Sequence, residues 1–206
     1  MTRYDFTTQP NRLNQNTMKW HEAESDPDLL ELWVADMDFL PVPEIREAVI
    51  NYAQTHIFGY PYPSEELYQA IIDWEKNQHG YVVDKESIVL IEGVVPAIST
   101  AIQAFTKEGD AVLINTPVYP PFARSVRLNN RKLIENSLVK VDGHFEIDFE
   151  QLERDIVDND VKLYVFCSPH NPGGRVWTKE ELTKVADLCQ KHGVLLVSDE
   201  IHQDSA

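Results

Sequence analysis

Four apolar, β-rich runs each end in residues whose types could do chemistry. "SIVLI" (87–91) is followed by Glu92, Gly93, Val94 and Val95 and then by a segment of helical period. "AVLI" (111–114) leads into "NTPVYPPF", where Tyr119 is flanked by prolines. "KLYVFC" (162–167) leads into "SPHNPGGRVW", where Asn171 stands between a prolyl turn and two glycines. "VLLVS" (194–198) runs straight into Asp199, with His202 just behind.

Each stretch has a specific use and a plainer one. A glycine between strand and helix lets the first-turn N–H groups of Gly93, Val94 and Val95 face outward as an anion seat, although many such turns bind nothing. Tyr119, stiffened by its prolines, is a stacking platform if the ligand is flat and a packing residue otherwise. The loop around Asn171 is constrained enough to hold a side-chain amide in one place. A carboxylate at the end of a buried strand stays ionised only beside a cation or strong donors, or else it caps the next turn. The protonated ring nitrogen of pyridoxal phosphate is one such partner. An anion seat, a stacking ring, an amide and an acid together make a complete pocket for that cofactor.

Strand ends need a sheet to align them. Runs that are apolar on both faces, separated by helical segments, predict an α/β fold: a three-layer α-β-α sandwich around a mostly parallel sheet. Ligands in such sheets sit at the carboxyl ends of the strands. "PEIREAVINYAQ" predicts a helix opening at Pro43, and "EELYQAIIDWEKNQHG" a second one ending at Gly80. Asp148 with Gln151 and Thr178 with Glu181 fit capping boxes. The first forty residues have little helical period and read as an N-terminal arm lying on another surface.

Bulk properties narrow the classes. The 206 residues carry 18 Lys and Arg against 34 Asp and Glu, a net charge of −16 that repels phosphate backbones and anionic lipid. Nucleic acid and membrane are therefore not expected as partners. No apolar run approaches the ~20 residues of a bilayer span, and "MTRYDFTTQPNRLNQ" lacks a signal-peptide core. Cys167 and Cys189 lack metal-ligand spacing and read as buried thiols of a cytoplasmic protein. No metal site is expected.

With these residues in hand, the chain resembles the N-terminal half of a fold-type I pyridoxal-phosphate enzyme of the aminotransferase class I/II superfamily. It is most similar to the MalY/PatB-like subgroup of cystathionine β-lyases, which are C–S lyases. The motifs are "LWVADMDF" (32–39), "FGY" (58–60), "TPVYPPF" (116–122), "SPHNPGGRVW" (168–177) and "SDEIHQD" (198–204). The resemblance implies that Gly93, Val94 and Val95 bind the cofactor phosphate through their N–H groups. It implies that Tyr119 stacks on the ring, Asn171 donates to the ring hydroxyl and Asp199 pairs with the ring nitrogen. His202 falls near the same ring oxygen, where aminotransferases commonly have Tyr. By the same resemblance, Tyr60 matches a residue that reaches the phosphate of the neighbouring subunit, which implies a homodimer with shared active sites. Ala35 lies where many aminotransferases have a glycine near the substrate carboxylate.

The resemblance further implies that residues 1–40 are an arm and small-domain segment. Residues 41–206 are then the N-terminal part of the cofactor-binding large domain. The Schiff-base lysine is expected beyond the end of this chain, so no catalytic residue is expected within it. The implied reaction is β-elimination on an amino acid such as cystathionine, giving a thiol, pyruvate and ammonia. An aminotransferase on the same pocket is the alternative, and a non-catalytic remnant is another if the gene ends here. A dinucleotide-binding protein is disfavoured, since no G-x-G-x-x-G follows any strand.

Overall fold

The computed structural model describes residues 4–26 and 28–205. Residues 1–3 and 27 of the expected arm, and Ala206, lie outside the described residues. The chain forms two units, Met1–Asp73 and Trp74–Ala206.

The first unit runs as coil and turns to Leu40 and then enters helix α1 (Pro43–Thr55) and most of helix α2 (Glu65–Trp74). Pro43 occupies the first helical position as expected, where its missing N–H costs nothing. The apolar stripe of α1, including Ile45 and Val49, is exposed. Order in the coil comes from an ion cluster instead. Arg12 grips Asp36 with both terminal nitrogens, at 2.9 and 2.8 Å, and reaches Asp38 at 3.0 Å. The buried Lys19 donates to Asp38 at 2.7 Å and to the Asp36 carbonyl at 2.8 Å, and Trp20 Nε1 donates to Asp38 at 2.9 Å. Both acids of the "ADMDF" motif are thus held by partners inside their own unit.

The second unit is the α/β body, matching the expected fold class. Its helices are α3 (Val94–Phe105), α4 (Pro121–Leu128), α5 (Phe149–Asp158) and α6 (Lys179–His192). Its main strands are β1 (Ala111–Thr116), β2 (Lys132–Ser137), β5 (Val161–Cys167) and β6 (Leu195–Asp199), all parallel, in the order β2-β1-β5-β6. A small hairpin, β3 (Val139–Val141) with β4 (His144–Glu146), follows β2.

The strands alternate their side chains between two cores, as a pleated sheet must. Val112, Ile114, Leu163 and Val165 pack with Ile98 and Ile102 of α3 and Phe122 and Val126 of α4. Leu113, Tyr164 and Phe166 face the other way, onto Leu152 and Ile156 of α5 and Val185 and Cys189 of α6. Burying one such side chain contributes about 1.5–3 kcal/mol. The central strands β1 and β5 are therefore covered on both sides, whereas the edge strand β6, expected to be buried on both faces, leaves Leu195 and Ser198 exposed; both cysteines are buried free thiols.

Three expectations need correction. "SIVLI" is not a strand: a 3₁₀ turn (Lys85–Ser87) precedes extended coil with no ladder partner among the described residues, and Val89 is 82% exposed. A β-prone run becomes a strand only when a neighbour takes up its N–H and C=O groups. Asp148 forms half of its expected box: its Oδ1 accepts Gln151 N–H at 3.0 Å, but the Gln151 amide goes to Asp155 at 2.7 Å. Thr178 and Glu181 do form the reciprocal box. Finally, β2 and the hairpin were not expected; β2 is an edge strand whose polar residues hide its period.

Candidate cofactor site

The strand order reverses between β1 and β5. From β1 the chain passes to α4 on one face of the sheet, and from β5 it passes to α6 on the other. Their carboxyl ends therefore flank a crevice, the place where open parallel sheets bind ligands. Tyr119 follows β1, and Asn171 follows β5. The Tyr119 N–H donates to the Asn171 carbonyl at 3.1 Å, which joins the two loops across the crevice. The Tyr119 ring is 42% exposed and rests edge-on against Phe122, with 6.3 Å between centroids. One face can still receive a flat ligand.

The Asn171 backbone is anchored while its side chain is spare. Its N–H donates to Cys167 Sγ at 3.4 Å, and Cys167 in turn donates to the Pro169 carbonyl at 3.3 Å. Burial first, and the Asp199 charge as well, push the Cys167 thiol up against the opposing pull of the Asn171 N–H, so it remains a donor at neutral pH. Trp177 Nε1 holds the Cys167 carbonyl at 2.9 Å. The Asn171 side-chain amide has no hydrogen-bond partner among the described residues, and sequence reasoning missed Cys167 as its backbone anchor.

Asp199 sits at the end of β6, in register with Cys167, and is only 7% exposed. Its carbonyl accepts Ser168 N–H at 2.9 Å. Of its carboxylate oxygens, Oδ1 accepts Ile201 N–H at 3.1 Å, while Oδ2 has no partner among the described residues. Helix α3 runs antiparallel to β1, which it precedes, so its N-terminus lies at the same carboxyl edge of the sheet. Gly93 caps it at φ 109°, a conformation a side chain would resist. Of the three amides expected to face an anion, that of Gly93 is already spent on the Ile91 carbonyl at 2.8 Å; the first helical bond is Ala97 N–H to the Gly93 carbonyl, and Pro96 has no N–H, so the amides of Val94 and Val95 remain to bind an anion. Val94 packs against the core that contains Cys167.

His202 follows β6, half-buried, with its carbonyl accepting Ser205 N–H at 2.9 Å and its ring free of hydrogen bonds among the described residues. Asp204 in that turn is held by His79 at 2.8 Å and by Trp74 Nε1 at 3.2 Å. Tyr60 and Ala35 belong to the first unit, and both are exposed. The site therefore brings together Gly93, Val94, Val95, Tyr119, Asn171 and Asp199 at one sheet edge. No group of three metal-ligating side chains occurs among the described residues.

The family model for aminotransferase class I and II matches residues 27–206. The chain belongs to the aminotransferase class I and II family. Among members of that family it is 44% identical over 203 residues to cystathionine β-lyase PatB of Bacillus subtilis, covering 97% of this chain and 52% of that protein. It is 37% identical over 179 residues to protein MalY of Escherichia coli, covering 86% of this chain and 46% of that one. The solved structure of cystalysin from Treponema denticola, which contains pyridoxal 5'-phosphate, superposes with a TM-score of 0.90 at 42% identity, over 98% of this chain and 52% of that one. The chain thus spans about half the length of the relatives it matches.

Proposed function

We propose that the protein carrying this chain is a pyridoxal-phosphate-dependent C–S lyase acting by β-elimination on cystathionine or a related cysteine S-conjugate, releasing a thiol, pyruvate and ammonia. The cofactor is pyridoxal 5'-phosphate, and the residues present fit it. The observation that carries the reading is the set of unspent polar groups at one edge: the Val94 and Val95 amides, the Asn171 side chain and one oxygen of a nearly buried Asp199. These groups converge on the carboxyl edge of a parallel sheet, the place where such sheets take ligands, and that convergence supports a bound partner.

In this reading the Val94 and Val95 N–H groups take the phosphate, helped by the positive end of α3. Tyr119 covers one face of the ring. Asn171 donates to the ring oxygen, with His202 beside it. Asp199 holds a proton on the ring nitrogen, and its burial beside Cys167 keeps that pairing from being diluted by water. When bound, the cofactor supplies an electron sink for the α-carbon of the amino-acid substrate. Tyr60 serves the phosphate of a second subunit, so the working form is a homodimer. Residues 1–40 act as an arm and small-domain segment, and the lysine that the family joins to the cofactor lies in the remaining half of the protein. The exclusion of nucleic acid rests on the net charge of −16, and no described helix is long and apolar enough to cross a membrane. A cytoplasmic location accords with two free buried cysteines.

An aminotransferase is the second reading, favoured by the name of the family model. Incubating the whole protein with cystathionine separates them. Pyruvate and thiol in equal amounts, without added 2-oxo acid, are expected. Transfer of the amino group to an added 2-oxo acid, with no thiol released, would replace the lyase with the transferase.

A further inference from the structure

The loop that carries Asn171 contains a second histidine interaction, one that the proposed chemistry does not use. His170 is 3% exposed, with its ring edge-on to Trp177 at 5.6 Å between centroids. Its main chain bridges to Arg175: the His170 N–H donates to the Arg175 carbonyl at 2.8 Å, and Gly174 N–H returns to the His170 carbonyl at 2.9 Å. Arg175 is itself clamped by Glu181 at 2.7 and 2.8 Å and lies over the Trp177 ring at 4.7 Å. The far side of the loop is therefore fixed to α6. Inside it, His170 Nδ1 accepts Gly173 N–H at 3.2 Å, while Nε2 is buried without a hydrogen-bond partner.

That arrangement selects one form of the ring. Nδ1 can accept only when unprotonated, so in the neutral ring the proton sits on Nε2. Burial pushes the His170 pKa down, in the same direction. A buried donor left unpaired is unfavourable, so replacing His170 with an apolar residue would relieve Nε2 but lose the Nδ1 contact. The close fit is mutual. A Cβ on Gly173 would stand 2.6 Å from Nδ1 and 3.3 Å from Phe145, so only glycine lets the loop close on the ring. Asn171 lies between the two partners, and its carbonyl accepts Tyr119 N–H from the β1 loop.

We propose that His170 is a positioning residue, whose Nδ1 holds Gly173 N–H and so sets the place of the Asn171 amide at the cofactor ring. The inference rests on the role given above to Asn171. It predicts a distinction between two substitutions of similar size. Asparagine places its Oδ1 near the position of Nδ1, while glutamine places its polar atoms near Nε2. His170→Asn should keep the latch, and His170→Gln should break it.

The test uses the whole protein saturated with pyridoxal phosphate. Its readouts are the visible circular dichroism of the bound cofactor, the cofactor dissociation constant and the exchange rate of the Gly173 amide. Asn171→Ala is the reference and should weaken cofactor binding by about tenfold, the loss of one hydrogen bond to a charged oxygen. His170→Gln should reproduce that change, with Gly173 exchange faster by about tenfold. His170→Asn should stay within about twofold of wild type in both. Gly173→Ala should shift the dichroic band as His170→Gln does, and it carries the test if that variant does not fold. If Asn171→Ala is altered while His170→Gln and Gly173→Ala match wild type, or if His170→Asn fails like His170→Gln, the proposal is overturned alone. If Asn171→Ala matches wild type, the reading of Asn171 has failed, and the role of His170, which acts through it, falls with it.

Discussion

Asp199 and Ile201 are linked by a 3.1 Å hydrogen bond that occupies one oxygen of the carboxylate and leaves the other without a partner among the described residues. The turn-capping role and the cofactor role of a strand-end aspartate are thus not rivals here, because each uses a different oxygen. Asp199→Asn keeps an acceptor for Ile201 N–H, so its melting temperature should stay near wild type. Turnover per bound cofactor should nevertheless fall strongly, since an amide cannot hold a proton on the ring nitrogen; each ~1.4 kcal/mol lost costs tenfold in rate. Asp199→Ala should lose turnover and also about 0.5–2 kcal/mol of stability with the cap. Thermal unfolding alongside turnover per bound cofactor checks both. Equal turnover in Asp199→Asn and wild type would leave only the capping role.

The ion cluster of the first unit should set its acid limit. The Arg12 guanidinium holds the Asp36 carboxyl below its ordinary value of 3.8 despite the opposing effect of burial. Asp38 is lowered by Lys19 first, against burial, and then by Trp20 and Arg12. Lowered carboxylates contribute stability that is complete above their unfolded pKa and is lost as pH falls through the folded value. The contribution should therefore persist at pH 5 and vanish below the ordinary aspartate range. Arg12→Gln removes the largest cause for Asp36 and should move the acid transition to higher pH. Trp20 fluorescence reports it, because Trp20 Nε1 donates to Asp38; an unchanged acid midpoint would contradict the assignment.

A buried polar chain should fix the register of three strands. The Tyr164 hydroxyl donates to Asn115, Asn115 Nδ2 to Asn136 at 3.0 Å, and Asn136 Nδ2 to Asp155 at 2.8 Å. Asn115 is 2% exposed, and Tyr164 and Asn136 are fully buried. Asn136→Ala strands Asn115 Nδ2 as an unpaired donor and should cost about 1–3 kcal/mol. Tyr164→Phe removes the donor to Asn115 and should cost a similar amount. Denaturant unfolding of the two single variants and the double should show non-additivity, since both act through Asn115. Strict additivity would mean that the chain is not a connected network.

Much of the site was legible because it obeys local rules. Tyr119, Asn171 and Asp199 each follow a run apolar on both faces, and the turn chemistry around them is confined to a few residues. The Thr178–Glu181 box was legible for the same reason: donor and acceptor lie three residues apart. "SIVLI" misled because β-propensity describes fit to a sheet rather than an intrinsic preference. Asn136 gave no signal, since a polar residue in a short edge strand reads as surface until Asn115 and Asp155 arrive from 21 and 19 positions away. His170 was visible within its motif but not as a latch, because ring nitrogens differ only once a partner chooses between them.

The sequence by itself determined the layered α/β class, the helix starts at Pro43 and Thr178, and which side chains would stand at the carboxyl ends of β1, β5 and β6. These follow from period, capping chemistry and apolar content within one turn or one strand. Only the tertiary structure decided that β1 and β5 flank the reversal of the sheet, that Tyr119 and Asn171 meet across it, and that Asp199 keeps one oxygen without a partner among the described residues. Those facts depend on strand order and register, which set distances between residues tens of positions apart and which no local pattern encodes.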